Sequence, residues 1–223
     1  MSSRQEEKEQ RRKEREEREA AAAAKAKRSR LIQLIGGVVV ACAIIAGVAF
    51  AVSKSGGDDG DNVDDAKMKN AATAGGCVYR AFPDEGQDHV TTKRTPANYK
   101  TNPATSGAHN PEPAPDGVYA PGNEPELANW VHTLEHGRIE LQYKPGTPAA
   151  TLTQLTSLFN EDVAGSGGGY HSVLFQNNTK MPFAVAAVAW RHYMACREFT
   201  PKSIEALRAF RTELVDKAPE KIP

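Results

Sequence analysis

The sequence predicts an α+β domain with a small, mostly antiparallel sheet and flanking helices, held at a membrane by one N-terminal helix. Three observations predict this. Residues 31–52 form an apolar run, LIQLIGGVVVACAIIAGVAFAV, with no charge and only Gln33 polar. Beyond it, helical and strand patterns alternate irregularly, without a regular βαβ repeat. Two cysteines, Cys77 and Cys196, lie far apart in that outer part.

Residues 1–30 read as a charged, solvated helix: Glu7→Arg11, Glu9→Lys13 and Glu14→Arg18 pair acid before base at i,i+4, and the Ala20–Ala24 stretch favours helix. The segment has no apolar stripe with which to build a core. It carries eleven basic and seven acidic residues, a net of +4, so residues 31–223 of this neutral chain carry −4. Lys25, Lys27, Arg28 and Arg30 abut the apolar run, whereas Asp58, Asp59, Asp61, Asp64 and Asp65 follow it. The run is about long enough to span a bilayer as a helix. The charge bias places the N-terminus in the cytoplasm and the C-terminal part outside, with the basic flank against anionic headgroups. Ala49-Phe50-Ala51 resembles a signal-peptidase site, and Val39-Val40-Ala41-Cys42 a lipoprotein box. The apolar run continues well past Cys42, which favours an uncleaved anchor with Cys42 inside it.

Residues 53–76 read as a Gly/Asp/Ser/Ala linker, 77–217 as the folded domain and 218–223 as a tail. In an oxidising exterior the Cys77/Cys196 pair is expected to form a disulfide, since no CxxC spacing suggests a metal or redox site. Residues 96–125 hold seven of the fourteen prolines and must be irregular; so long an ordered loop often carries function. Arg138–Tyr143 alternates as a strand. Thr147-Pro148 opens a helix with the stripe Leu152, Leu155, Leu158 and Phe159. Gly165–Gly169 breaks the chain, His171–Phe175 and Phe183–Trp190 read as strands, and Thr200-Pro201 opens a last helix with the stripe Ile204, Leu207, Phe210 and Leu214.

All six histidines fall in the outer domain. His132-Thr-Leu-Glu135-His136 sets two imidazoles four apart, on one face if this piece is helical, and Gly137 can end the turn. His109 lies in the proline-rich loop and His89 just upstream; His171 and His192 lie on or beside strands and read as structural. Imidazoles converging from loop and helix suit copper or zinc, so His109, His132, His136 and His89 are the candidate metal ligands. Glu135 is expected to orient a ligating imidazole. Copper is preferred slightly, for its higher place in the affinity order. HTLEH also matches the H-x-x-E-H pattern of inverted zinc peptidases, with Glu135 as base. Such enzymes continue in a long helix and draw a further carboxylate ligand from downstream. Here Gly137 and a strand intervene, and no such carboxylate stands out. The alternatives are therefore a scaffold or interaction domain and, third, a zinc hydrolase. No nucleophile elbow, phosphate loop or dinucleotide fingerprint is present, so no nucleotide cofactor is expected. The folded domain has no basic–aromatic cluster, which argues against nucleic acid.

His89, Pro103-Ala-Thr-Ser-Gly-Ala-His109, Gly117-Val-Tyr119, Val131-His-Thr-Leu-Glu-His-Gly137 and the strand containing Tyr143 together resemble the actinobacterial membrane-anchored family of the domain of unknown function 3105. The resemblance runs from Cys77 to the last helix; its most specific parts are the His-x-Leu-Glu-His-Gly and Thr-Ser-Gly-x-His elements. Pro103-Ala104 stands where the family more often has two prolines. The resemblance implies an extracytoplasmic location and leaves the activity open.

Overall fold

The computed structural model describes residues 62–223, apart from Ala164, Lys221 and Pro223. The charged segment 1–30, the apolar run 31–52 and the first part of the expected linker lie outside the described residues. Among the described residues no helix is long and apolar enough to cross a membrane.

The domain is α+β. In chain order it comprises α1 (Asp65–Gly75), β1 (Val78–Ala81), β2 (Gly117–Val118), α2 (Leu127–Glu135), β3 (Ile139–Tyr143), α3 (Ala149–Phe159), β4 (Ser172–Gln176), β5 (Val185–Ala189), β6 (His192–Cys196) and α4 (Pro201–Leu214). A single 3-10 turn, Pro96–Asn98, interrupts the proline-rich loop. One sheet runs β1-β6-β5-β3-β4-β2. The first three pairings are antiparallel, whereas β3/β4 and β4/β2 are parallel. The sheet is thus mixed: antiparallel pairings are in the majority, as expected, and are joined by two parallel ones. The reason is α3: it carries the chain from β3 back to the starting end, so β4 must run alongside β3 in the same direction.

Period-two alternation sorts the sheet residues between two layers. Ile139, Leu141, Tyr143, Leu174, Val185, Ala187 and Met194 pack against α1, α3 and α4. The opposite face, including Val173, Phe175, Ala186 and Val188, packs against Trp130, Val131 and Leu134 of α2 and against the proline-rich loop. The helical stripes expected on α3 and α4 supply much of the first layer, as Leu155, Leu158, Phe159, Ile204, Leu207, Phe210 and Leu214.

Residues expected as linker begin the domain. Asp64 caps α1 by accepting from the Lys67 N–H at 2.9 Å, and Gly76 closes the helix in left-handed geometry at φ 69°. Met68 and Ala72 are buried against the first layer. A Cβ on Gly75 would stand 2.5 Å from the Ala206 Cβ, so glycine lets α1 approach α4 closely. Lys67 Nζ meets Glu213 Oε2 at 2.6 Å, and the Tyr79 hydroxyl donates to Asp65 at 2.7 Å. The Cys77–Cys196 disulfide then joins the end of this unit to β6 across 119 residues of chain.

The expected tail also belongs to the fold. Ala218 is buried beside α2, and the Glu220 N–H donates to the Glu135 carbonyl at 3.1 Å.

Candidate metal centre

The site forms where the proline-rich loop crosses α2. The outward face of this helix is covered by loop instead of solvent, so eight of its nine residues, His132 and Glu135 among them, are buried. Thr133 fastens the loop: its hydroxyl donates to the Ala114 carbonyl at 3.1 Å and accepts from the Ala114 N–H at 2.9 Å. Farther back, the Tyr99 hydroxyl donates to the Ala108 carbonyl at 3.0 Å, and Asn102 and Thr179 bond reciprocally, Asn102 Nδ2 to the Thr179 carbonyl and Thr179 Oγ1 to Asn102 Oδ1. Gly107, at φ 115°, takes a conformation that side chains disfavour, and a Cβ there would press on the Tyr99 ring. The next two residues deliver His109 beneath α2. An isolated parallel bridge pairs His109 with His89, so the segment upstream contributes its imidazole to the same place.

Four side chains converge there: His89, His109, His132 and Glu135. Glu135 Oε2 lies 2.9 Å from His109 Nε2, 3.6 Å from His89 Nε2 and 4.0 Å from His132 Nε2. The rings of His89, His109 and His132 stand 4.7–5.0 Å apart between centroids. His109, His132 and Glu135 are at most 3 % exposed, whereas the His89 side chain remains 45 % exposed at the open side.

The hydrogen bonds behind the rings fix their tautomers. His109 Nδ1 is 2.7 Å from the Gly107 carbonyl and His132 Nδ1 is 2.6 Å from the Asn110 carbonyl. A carbonyl only accepts, so both protons sit on Nδ1 and both Nε2 atoms keep a lone pair, that of His109 facing Glu135 and that of His132 lying between Glu135 and His136, the tautomer typical of metal-ligating imidazoles. His109 Nε2 and Glu135 Oε2 are buried without a hydrogen-bond partner. A buried lone pair facing a carboxylate oxygen is stable only with a proton or a cation between them. Burial holds the His109 and His132 imidazoles below their usual range and pushes the Glu135 carboxyl above its own, with Glu220 adding to the rise. Four donors around a tetrahedral ion with bonds of ~2.1 Å stand about 3.4 Å apart, and the separations from Glu135 bracket that value.

Two placements differ from the sequence expectation. Glu135 does not stand behind an imidazole; its position three residues after His132 turns it to the same face, and Oε2 enters the cluster itself. His136 caps the helix beyond Glu135 and faces the flank of the site, its Nε2 2.8 Å from His132 Nε2 and 3.3 Å from Glu220 Oε2. Burial, His132 and Arg138 together lower the His136 imidazole to about 4. His171 and His192 stand apart: His171 pairs with Asp216 at 2.6 Å, and His192 stacks on Tyr79.

Glu220 is the residue the sequence did not single out. It reaches His136 because the chain after α4 turns back over the α2–β3 junction, the Asp216 N–H donating to the Gly137 carbonyl at 2.9 Å. Gly137 lies directly beneath, at φ 78°, and a Cβ on it would stand 2.8 Å from the Asp216 Cα. Gly137→Ala is therefore expected to cost about 2 kcal/mol from the left-handed backbone and the lifted strap together. Urea unfolding measures this; a loss under about 0.5 kcal/mol, the ordinary range for surface changes, refutes the close-approach account.

Fold and site together define a small α+β domain with a buried histidine–glutamate cluster of metal-binding composition. The chain belongs to the family described as protein of unknown function DUF3105, whose model matches residues 89–222. The matched range includes His89, His109, His132, Glu135, His136 and Glu220, and leaves Cys77 and β1 outside. Neither the curated proteins nor the solved structures gave a match.

Proposed function

We propose that this domain binds one transition-metal ion, copper or zinc, through His89, His109, His132 and Glu135. The observation that carries the reading is the gathering of His89, His109 and His132 around the Glu135 carboxylate, with the His109 and His132 Nδ1 protons already committed to backbone carbonyls. Three imidazoles and one carboxylate suit a four-coordinate borderline ion and offer little to magnesium or calcium. Glu135 is turned among the imidazoles, which supports a ligand role over that of a free general base, so binding is preferred to hydrolysis.

The reading extends to location. The apolar run of residues 31–52 would anchor the chain, its basic flank Lys25, Lys27, Arg28 and Arg30 at the cytoplasmic surface and the metal domain outside. The Cys77–Cys196 disulfide supports an oxidising compartment.

The test uses the full chain in detergent, stripped with a chelator, loaded separately with copper and zinc, and analysed for metal content. About one equivalent is expected in the parent and none in His109→Ala/His132→Ala, with circular dichroism confirming that the variant is folded. No metal in the parent after either loading would sink the proposal. The histidines would then serve only to bond the proline-rich loop to α2, as a scaffold.

A further inference from the structure

A second group of donors adjoins the first and shares a residue with it: His132, His136 and Glu220. The two groups differ in access. The inner one is closed off except at His89, whereas the Glu220 side chain is 43 % exposed. Beside His136 lies a cavity of about 210 Å³, lined by Pro113, Ala114, Pro115, Asp116, Thr133 and Arg138. Arg138 faces Asp116 at 3.5 Å and donates to the His136 and Ile222 carbonyls.

The shared atom is His132 Nε2. With its Nδ1 proton on the Asn110 carbonyl, His132 presents a single lone pair, and one lone pair binds one ion at a time. That lone pair accepts from His136 Nε2–H at 2.8 Å. The groups therefore cannot both be filled through His132. They are alternative positions for one ion, separated by the reach of one imidazole.

We propose that His136 and Glu220 form an outer station that captures the divalent ion from solvent and passes it inward, with His132 bound throughout the transfer. This rests on the metal reading above. When the ion enters, the proton on His136 Nε2 moves through solvent to Nδ1, freeing Nε2 to coordinate beside the Glu220 carboxylate and His132 Nε2. The ion then exchanges His136 and Glu220 for His109, Glu135 and His89. His136 recovers its Nε2 proton, and no atom of the protein is gained or lost. His132 is thus the pivot of the transfer, and the strap after α4 exists in part to hold Glu220 over the entrance.

Cobalt(II) is the probe, because its visible absorption distinguishes a buried four-coordinate site from a hydrated one. Loading of the full chain in detergent is followed by stopped flow for the parent and Glu220→Gln. The expected result is one cobalt per chain and the same final spectrum in both, with loading slowed ~10-fold or more in the variant. The defect should persist in about 0.5 M salt, where simple attraction of the ion by Glu220 is screened. His109→Ala should retain weak cobalt binding with a hydrated spectrum, and adding Glu220→Gln should remove it. Equal loading rates would overturn the transfer and point to entry past His89; so would a defect that vanishes in salt, or a second equivalent bound by the parent. No cobalt in the parent would instead remove the metal reading itself.

Discussion

Replacing both disulfide cysteines, Cys77→Ala with Cys196→Ala, should destabilise the domain by about 4–5 kcal/mol, the loop-entropy value for cross-linking a chain separation of 119 residues. The segment most affected is predictable. Cys77 follows α1 directly, and β1 is an edge strand bound to the sheet only through its four residues paired with β6. The bridge therefore closes off the conformations in which α1 and β1 detach together while the rest stays folded. Cys196 is fully buried, so alanine is the appropriate replacement: a serine there would add an unpaired hydroxyl to the core. Urea unfolding of the parent, the reduced parent and the double variant gives the number. The last two should agree apart from the small packing loss of the alanines. A drop below about 1 kcal/mol would show that non-covalent contacts alone hold α1 and β1, and would remove the stabilising role.

Most of what was legible in the sequence depended on side-chain periodicity. The stripes of α3 and α4, the strand around Leu141 and the buried run Val185–Ala189 each bury a regular set of apolar residues, so pattern and packing coincide. What pattern could not show was built by other means. Only Met68, Ala72 and Gly75 of α1 are buried, and a contact made by glycine and alanine leaves no hydrophobic stripe to read. The β5–β6 hairpin turns at Trp190-Arg191, with Arg191 at φ 64°, where a tight hairpin normally announces itself with Asn-Gly. The parallel β3/β4 pair follows from where α3 lays the chain down, which residue periodicity does not encode. The site divides in the same way. His132, Glu135 and His136 share a helical spacing and could be grouped from sequence. His89 and His109 could be named as candidates from their residue type, though the loop bridge that joins them is a tertiary fact; Glu220, brought in by a backbone strap, could not be named.

Glu140→Gln should stabilise the protein at neutral pH, by about 2 kcal/mol. Glu140 lies on β3 facing α2 and is fully buried. Its Oε2 accepts from Gln142 Nε2 at 2.7 Å, and Gln142 Oε1 in turn accepts from Asn177 Nδ2 at 2.6 Å. Its Oε1 has no partner, and no cation stands against it among the described residues. Burial therefore pushes the carboxyl well above its ordinary 4.5, and the hydrogen bond from Gln142 offsets only part of this. The unfolded chain ionises near 4.5 while the folded chain holds the proton to higher pH, so folding takes up a proton throughout that window. For an acid whose folded value is raised, stability is greatest below the unfolded value and falls as pH rises toward the folded one. Glutamine keeps the acceptor for Gln142 and has no proton to lose. The advantage of Glu140→Gln should thus be small near pH 4 and grow as pH rises to 7. Ionisations common to both proteins, including those of the histidine–glutamate cluster, cancel in the comparison. Urea unfolding of parent and variant at pH 4 and pH 7 decides it: a gap of equal size at both pH values would show that Glu140 is not buried as a neutral acid. The same β3 segment supports the layer on which α2 rests. A gain in stability at pH 7 would mean that the buried carboxyl is a cost to this layer at neutral pH and not a support for it.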